Sequence, residues 1–297
     1  MDMISVFGSE VGKEEIDNVS QCIRDQWMGF GKIVNDFEKK FMKKFQLNNF
    51  LMVDSGSNAL YMAVKLLNLP VGSEVILPSY TWVSCAQSIL MSGLKPIFCD
   101  VDLHTMNVRV CDIERRITKK TSAIMVVDYA GLPLPIDEIA KLGYPIIEDA
   151  AHAVYSKYKG SACGTLADVA IYSFDAVKNL TTGEGGGVTT KRNKLIKRAS
   201  KLRYCGIGKS GFDEATSQNK SQPKWWEYDI KEPFIKMLPT NIAASIGLAQ
   251  LQKIDKLQAK REKIWKIYQS EFKDISWIKN PVNAKSIDRH SYFTYCI

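Results

Sequence analysis

Seven cysteines, at positions 22, 85, 99, 111, 163, 205 and 296, include no CxxC pair and form no even framework. That scatter argues against disulfide staples, offers no metal-site spacing, and suits reduced thiols in a cytoplasmic enzyme. The opening stretch MDMISVFGSEVGKEE lacks a basic region followed by an apolar one, so no signal peptide is expected. No uncharged apolar run approaches the roughly 18 residues needed to span a bilayer. Neither an internal repeat nor a low-complexity tract occurs. The net charge of +8 is spread along the chain, not gathered into an arm. It lends nucleic-acid binding little support but is compatible with acidic small molecules. The densest basic segment, KRNKLIKRASKLR at 191–203, spaces Leu195, Ile196, Ala199 and Leu202 as a helix with a solvated basic face.

What is present is enough apolar residue, 45% of 297, for a substantial core. EVILP (74–78), KPIFCDV (95–101), SAIMVVDY (122–129), YPIIEDA (144–150) and DVAIYSF (168–174) read as buried strands. Helix-length segments such as TWVSCAQSILMSG (81–93) separate them, which predicts a mainly parallel sheet covered on both faces. Two helices precede this block, with apolar stripes Ile16, Val19, Ile23, Trp27 and Ile33, Phe37, Phe41, Phe45. A loop rich in Ser, Gly and Lys (208–224), the cluster WWEYD, and a helix from about Asn241 to Phe272 follow it. RHSYFTYCI reads as the beginning of a strand, so the sequence is expected to be a fragment.

Ligands of open α/β sheets bind beyond the carboxyl ends of the strands, which makes the residues after each apolar run informative. In VDSGSNALYMAVKLL (53–67) a Ser-Gly-Ser turn opens a helix. The N–H groups of Gly56 and Ser57 and the Ser57 hydroxyl could receive a phosphate there, or the serine could simply cap the helix. In IIEDAAHA (146–153) Asp149 ends a strand and His152 follows; a cap and a structural histidine are the plain alternative, and a metal lacks a third ligand. In SFDAVKNLTTGEGGGVTT (173–190) Lys178 sits between an apolar run and a glycine-rich turn. A partly desolvated ammonium there would have the lowered pKa that an imine-forming nucleophile needs, although most lysines are only surface residues. YCGIGKSG (204–211) ends like a phosphate-binding P-loop, but Arg203 stands where that motif requires glycine. One demand unites the first three places. Pyridoxal phosphate needs a phosphate cradle, an acid at its ring nitrogen and a lysine for its aldehyde.

With DSGSNAL, PSYTWVS, EDAAHA, SFDAVKNLTTGEGG and NIAASIGLAQLQKID in view, the chain resembles the DegT/DnrJ/EryC1/StrS family of pyridoxal-phosphate-dependent sugar aminotransferases from about residue 4 onward. The resemblance implies a fold-type I architecture: a large cofactor-binding domain over 1–235 and, over 236–297, a long helix and the start of a smaller domain. It implies that Lys178 binds the cofactor aldehyde and Asp149 its ring nitrogen, with Gly56, Ser57 and Ser173 at the phosphate. Trp82 matches a ring stacked on the cofactor, and His152 a position near the cofactor's face or phenolic oxygen. The family's YNYRM-like segment, whose asparagine reaches a partner subunit's phosphate, corresponds to EPFIKMLPTN without a clear equivalent; Asn241 is the candidate substitute. The retained lysine argues against the family's dehydratase branch, where histidine replaces it.

The implied reaction moves an amino group from an amino acid, glutamate foremost, to a nucleotide-linked keto sugar for amino-sugar or surface-polysaccharide assembly. The implied assembly is a homodimer. Competing readings are a catalytically silent relative acting as a binding or scaffolding subunit, and a pyridoxal-phosphate lyase or sugar dehydratase.

Overall fold

In the computed structural model, which describes residues 9–210 and 227–297, the apolar runs become strands. The chain enters through helices α1 (Lys13–Arg24) and α2 (Lys32–Phe45), then alternates through β1 (Leu51–Val53), α3 (Gly56–Leu66), β2 (Glu74–Pro78), α4 (Val83–Met91) and β3 (Lys95–Cys99). Two short helices, α5 (Val110–Glu114) and α6 (Ile136–Ala140), flank β4 (Thr121–Val127) and lead to β5 (Ile146–Asp149). A hairpin of β6 (Lys157–Tyr158) and β7 (Ser161–Ala162) precedes β8 (Val169–Ser173) and β9 (Gly186–Thr189). Then come α7 (Asn193–Leu202), the paired β10 (Ile207–Ser210) and β11 (Tyr228–Ile230), and the long α8 (Asn241–Glu271). Most of the Ser, Gly and Lys loop and both tryptophans of WWEYD lie outside the described residues.

Seven strands form one sheet in the order β1-β9-β8-β5-β4-β2-β3. Neighbours from β3 to β8 pair in parallel, and β9 alone opposes both of its neighbours. The carboxyl ends of β1, β4, β5 and β8 therefore gather at one edge. Val127 pairs with Asp149, Asp149 with Ile171, and Gly186 with both Ser173 and Val53. Successive side chains go to opposite faces. Val53, Met125, Ile147 and Ile171 join a core with α3 residues, while Met52 and Tyr172 join a second beside α2. Ile124, Val126 and Ile146 join a third with Ile113 and Ile139 of α5 and α6. Apolar layers on both sides explain why the central strands are apolar nearly throughout.

The stripe on α2 packs as its periodicity predicts: Phe37, Phe41 and Phe45 are buried, and the Phe41 ring stacks on Phe50 at 4.3 Å between centroids. The α/β class, the mainly parallel sheet and the long helix are all as expected. Three other expectations fail. The apolar stripe predicted for the first helix points outward: Ile16 and Ile23 on α1, and Trp27 beyond its end, are more than half exposed. Polar anchoring turns the helix: Glu15 is buried and its carboxylate accepts hydrogen bonds from Gln250 Nε2 (2.8 Å) and Lys253 Nζ (2.9 Å) of α8. Strand β3 is an edge strand covered unevenly, so Phe98 is exposed. Finally, RHSYFTYCI forms no strand. Arg289 makes one bridge to Lys157, and Tyr292, at φ 50°, takes the left-handed conformation that ends an extended run.

Candidate active site

At the gathered strand ends lies a cavity of about 250 Å³, lined among others by Gly56, Ser57, Trp82, Asp149, His152, Ser173 and Lys178. Residues chosen from four separate segments thus share one wall. Ser55 Oγ caps α3 by accepting from the Asn58 N–H at 3.1 Å, so capping does not require Ser57. The first N–H groups of a helix have no partner within it, which leaves those of Gly56 and Ser57 available. The Ser57 hydroxyl bonds that of Ser84 at 2.7 Å. Ser173 at the end of β8 closes the other side: a Cβ on Gly56 would come within 2.8 Å of the Ser173 Cβ. Only glycine allows this approach, and it brings two hydroxyls and a helix N-terminus to one end of the cavity.

Asp149 lines the same cavity and is buried. Its Oδ1 accepts from the Ala151 N–H at 3.0 Å and its Oδ2 from Cys85 Sγ at 3.2 Å; Thr81 Oγ1 donates in turn to Cys85 Sγ at 3.1 Å. Burial pushes the Asp149 carboxyl upward, and the Ala151 N–H, the Cys85 thiol and the charge of Lys178 oppose that shift. A cation placed against Asp149 would complete the compensation.

Lys178 stands on the turn after β8. Asp175 builds this turn, its Oδ1 accepting from the Val177 N–H and its carbonyl from the Lys178 N–H, both at 3.0 Å. Burial lowers the pKa of the Lys178 amine, against the pull of Asp149 and Asp175 toward the charged form. His152 is half-buried, yet its Nδ1 is shut from solvent with no hydrogen-bond partner among the described residues. Burial first, and Lys178 second, push this imidazole down to about 3, so it is neutral at physiological pH. Trp82 is 72% exposed at the rim, which rules out the core tryptophan and leaves a ring free to stack.

Asn241 does not join them. It is buried at the start of α8, where its Oδ1 accepts from the Val34 N–H (3.2 Å) and its Nδ2 donates to the Trp27 carbonyl (3.0 Å). Its amide is engaged at both ends by its own chain, and the role expected of it concerns the phosphate of a second subunit, not this cavity. Tyr129 and Thr81 are among the lining residues that the sequence reading did not select. Tyr129 follows the apolar run of β4, so the strand-end rule already pointed to it. Thr81, just before α4, reaches Asp149 through Cys85 of that helix, and nothing local marks that contact.

The donor set fits pyridoxal phosphate: hydroxyls and helix N–H groups about Gly56, a buried carboxylate, an amine of lowered basicity and an imidazole nitrogen without a partner among the described residues, all lining one cavity. Comparison with known proteins agrees. The model of the DegT/DnrJ/EryC1/StrS aminotransferase family matches residues 9–297. The chain is 33% identical to the dTDP-4-dehydro-2,3,6-trideoxy-D-glucose 4-aminotransferase of Saccharopolyspora spinosa, covering 99% of this chain and 77% of that one. It is also 33% identical to the spore coat polysaccharide biosynthesis protein SpsC of Bacillus subtilis, over 97% and 73% of the two. Among solved structures, the aminotransferase TlmJ of Streptoalloteichus hindustanus superposes with a TM-score of 0.91 at 31% identity, covering 99% of this chain and 78% of that one. A putative sugar aminotransferase of Streptococcus pneumoniae in its PMP form gives 0.90 at 28%, with the same coverage. The fold is thus the fold-type I aminotransferase architecture, and the chain belongs to the DegT/DnrJ/EryC1/StrS aminotransferase family.

Proposed function

We propose that this chain is a pyridoxal-phosphate-dependent aminotransferase that carries an amino group from glutamate to a keto sugar on a nucleotide. The observation behind this reading is the convergence of Lys178, Asp149 and the Gly56–Ser57–Ser173 cradle on one cavity. Bound there, pyridoxal phosphate supplies an electron sink for the carbon that gains or loses nitrogen. Gly56, Ser57 and Ser173 hold its phosphate through N–H and hydroxyl groups. Asp149 keeps a proton on the ring nitrogen, and Trp82 covers a ring face. Lys178 Nζ would hold the aldehyde and, as a neutral amine, would take and return a proton at the reacting carbon; a lowered pKa suits it to that work. His152 Nδ1 offers the phenolic oxygen a partner. The nucleotide-sugar acceptor is supported by the relative named for a dTDP-linked sugar and by the polysaccharide role in the name of the other. We further propose a homodimer, in keeping with the exposed apolar side chains of α1 and α4.

An absorbance scan with pyridoxal phosphate, before and after glutamate, tests this reading. The visible band of lysine-bound cofactor is expected to form and then bleach as 2-oxoglutarate is released in equal amount, and Lys178→Ala should show neither change. A band indifferent to every amino donor would point to a silent relative.

A further inference from the structure

Lys178 has a neighbour far along the chain. Its Nζ lies over the Phe293 ring, 4.7 Å from the centroid, and that ring stacks on His152 at 3.9 Å and 14°. The segment carrying Phe293 is seated by several groups. The Ser291 carbonyl accepts from Asn179 Nδ2 (2.7 Å) and Gln258 Nε2 (2.8 Å), and Ser291 Oγ donates to the His152 carbonyl at 2.5 Å. The Phe293 N–H donates to the Ala130 carbonyl at 3.0 Å, and Arg261 Nη1 to the Phe293 carbonyl at 3.2 Å. Gly131, at φ +90°, leaves room for it: a Cβ there would fall 2.0 Å from Ser291 Oγ.

We propose that Phe293 is a positioning residue of this site, its ring covering the Lys178 amine and excluding water from it. This rests on the reading of Lys178 as the aldehyde-binding amine. Two effects of the ring oppose each other. Its π face favours the ammonium by roughly two- to thirtyfold in the acid dissociation constant. Replacing water with hydrocarbon disfavours the ammonium, by up to about 3–5 pKa units for a fully buried group. Desolvation is the larger. Asp149 and Asp175 both favour the ammonium, Glu184 also lines the cavity, and His152 is neutral, so none of these groups helps to release the proton. An apolar cover is what remains to do so, and Phe293 is the ring in contact.

The test needs no cofactor. Labelling of Lys178 in the apo protein by trinitrobenzenesulfonate, followed by peptide mass spectrometry across pH, gives the midpoint of amine deprotonation; rates are normalised to the high-pH plateau so that steric access drops out. Phe293→Ala is expected to move the midpoint to higher pH and to lower the normalised rate at pH 8 by about three- to tenfold. Phe293→Leu keeps an apolar cover without a π face, and its midpoint should stay with the parent's or fall below it. A midpoint unmoved or lowered in Phe293→Ala, or raised in Phe293→Leu, overturns the proposal. If the shifts appear but no visible band forms with pyridoxal phosphate, the cover stands and the aminotransferase reading fails.

Discussion

Asp128 and Glu148 are buried side by side, and one oxygen of each lies within 4.8 Å of the other and of Cys163 Sγ. Glu148 immediately precedes Asp149, and the Asp128 N–H donates to the Asp149 carbonyl at 3.1 Å, so this pair underpins the acid end of the cavity. Burial raises both carboxyls, Asp128 further because Glu148 adds to it. The folded protein therefore keeps a proton that the unfolded chain releases above about pH 4. Stability from this source is present at low pH and is lost as pH rises toward the raised values. Asp128→Asn substitutes a permanent N–H donor. Its melting temperature is expected to exceed the parent's by a margin that grows from pH 5 to pH 8; a margin constant with pH would show that no proton is shared. Lys178, Asp149 and Ser57 were legible in the sequence because the strand-end rule is local. Phe293 was not, since nothing within its own segment signals a lysine more than a hundred residues away.

Helix α8 is held at its start by two adjacent residues. Thr240 Oγ1 accepts from the Ala243 N–H at 3.1 Å, and Thr240→Ala should cost about 1 kcal/mol in chemical denaturation. Asn241→Ala removes a buried amide serving two backbone groups and should destabilise by about 1–3 kcal/mol. Its affinity for pyridoxal phosphate should match the parent's, since both ends of the amide are engaged within the chain; a large loss of affinity would bear out the cofactor role expected from sequence. On α2, Phe41→Ala opens a cavity among Phe37, Phe50, Tyr172 and Phe174 and should cost about 3–5 kcal/mol. These helices were visible as periodic stripes. Periodicity identifies a face without saying what covers it, which is why the same pattern that buried Phe41 left Ile16 and Ile23 in the open.

Over the whole molecule, apolar side chains lie exposed on α1 (Ile16, Ile23), beside it (Trp27), on α4 (Val83, Leu90, Met91) and at the cavity mouth (Trp82). Such residues, when gathered, mark contact surfaces. Sedimentation is expected to give a dimer, and Ile23→Glu with Trp27→Glu should shift it toward monomer; a monomeric parent that turns over would refute the homodimer. The α/β class and the mainly parallel sheet followed from alternating apolar runs, whereas the order of the strands and the paths of residues 27–34 and 289–293 depend on long-range contacts that no local pattern encodes.

The bond from Asn179 to the Ser291 carbonyl joins positions 112 residues apart. The last strand of the seven-stranded sheet, β9, ends at Thr189, so the whole sheet leaves the ribosome well before Ser291 and Phe293 do. During synthesis the sheet and its strand-end turns can then assemble while the Lys178 amine is still wet and protonated. Reactivity at this lysine should accordingly be the last property to appear, and it would report completion of the fold more faithfully than secondary structure does.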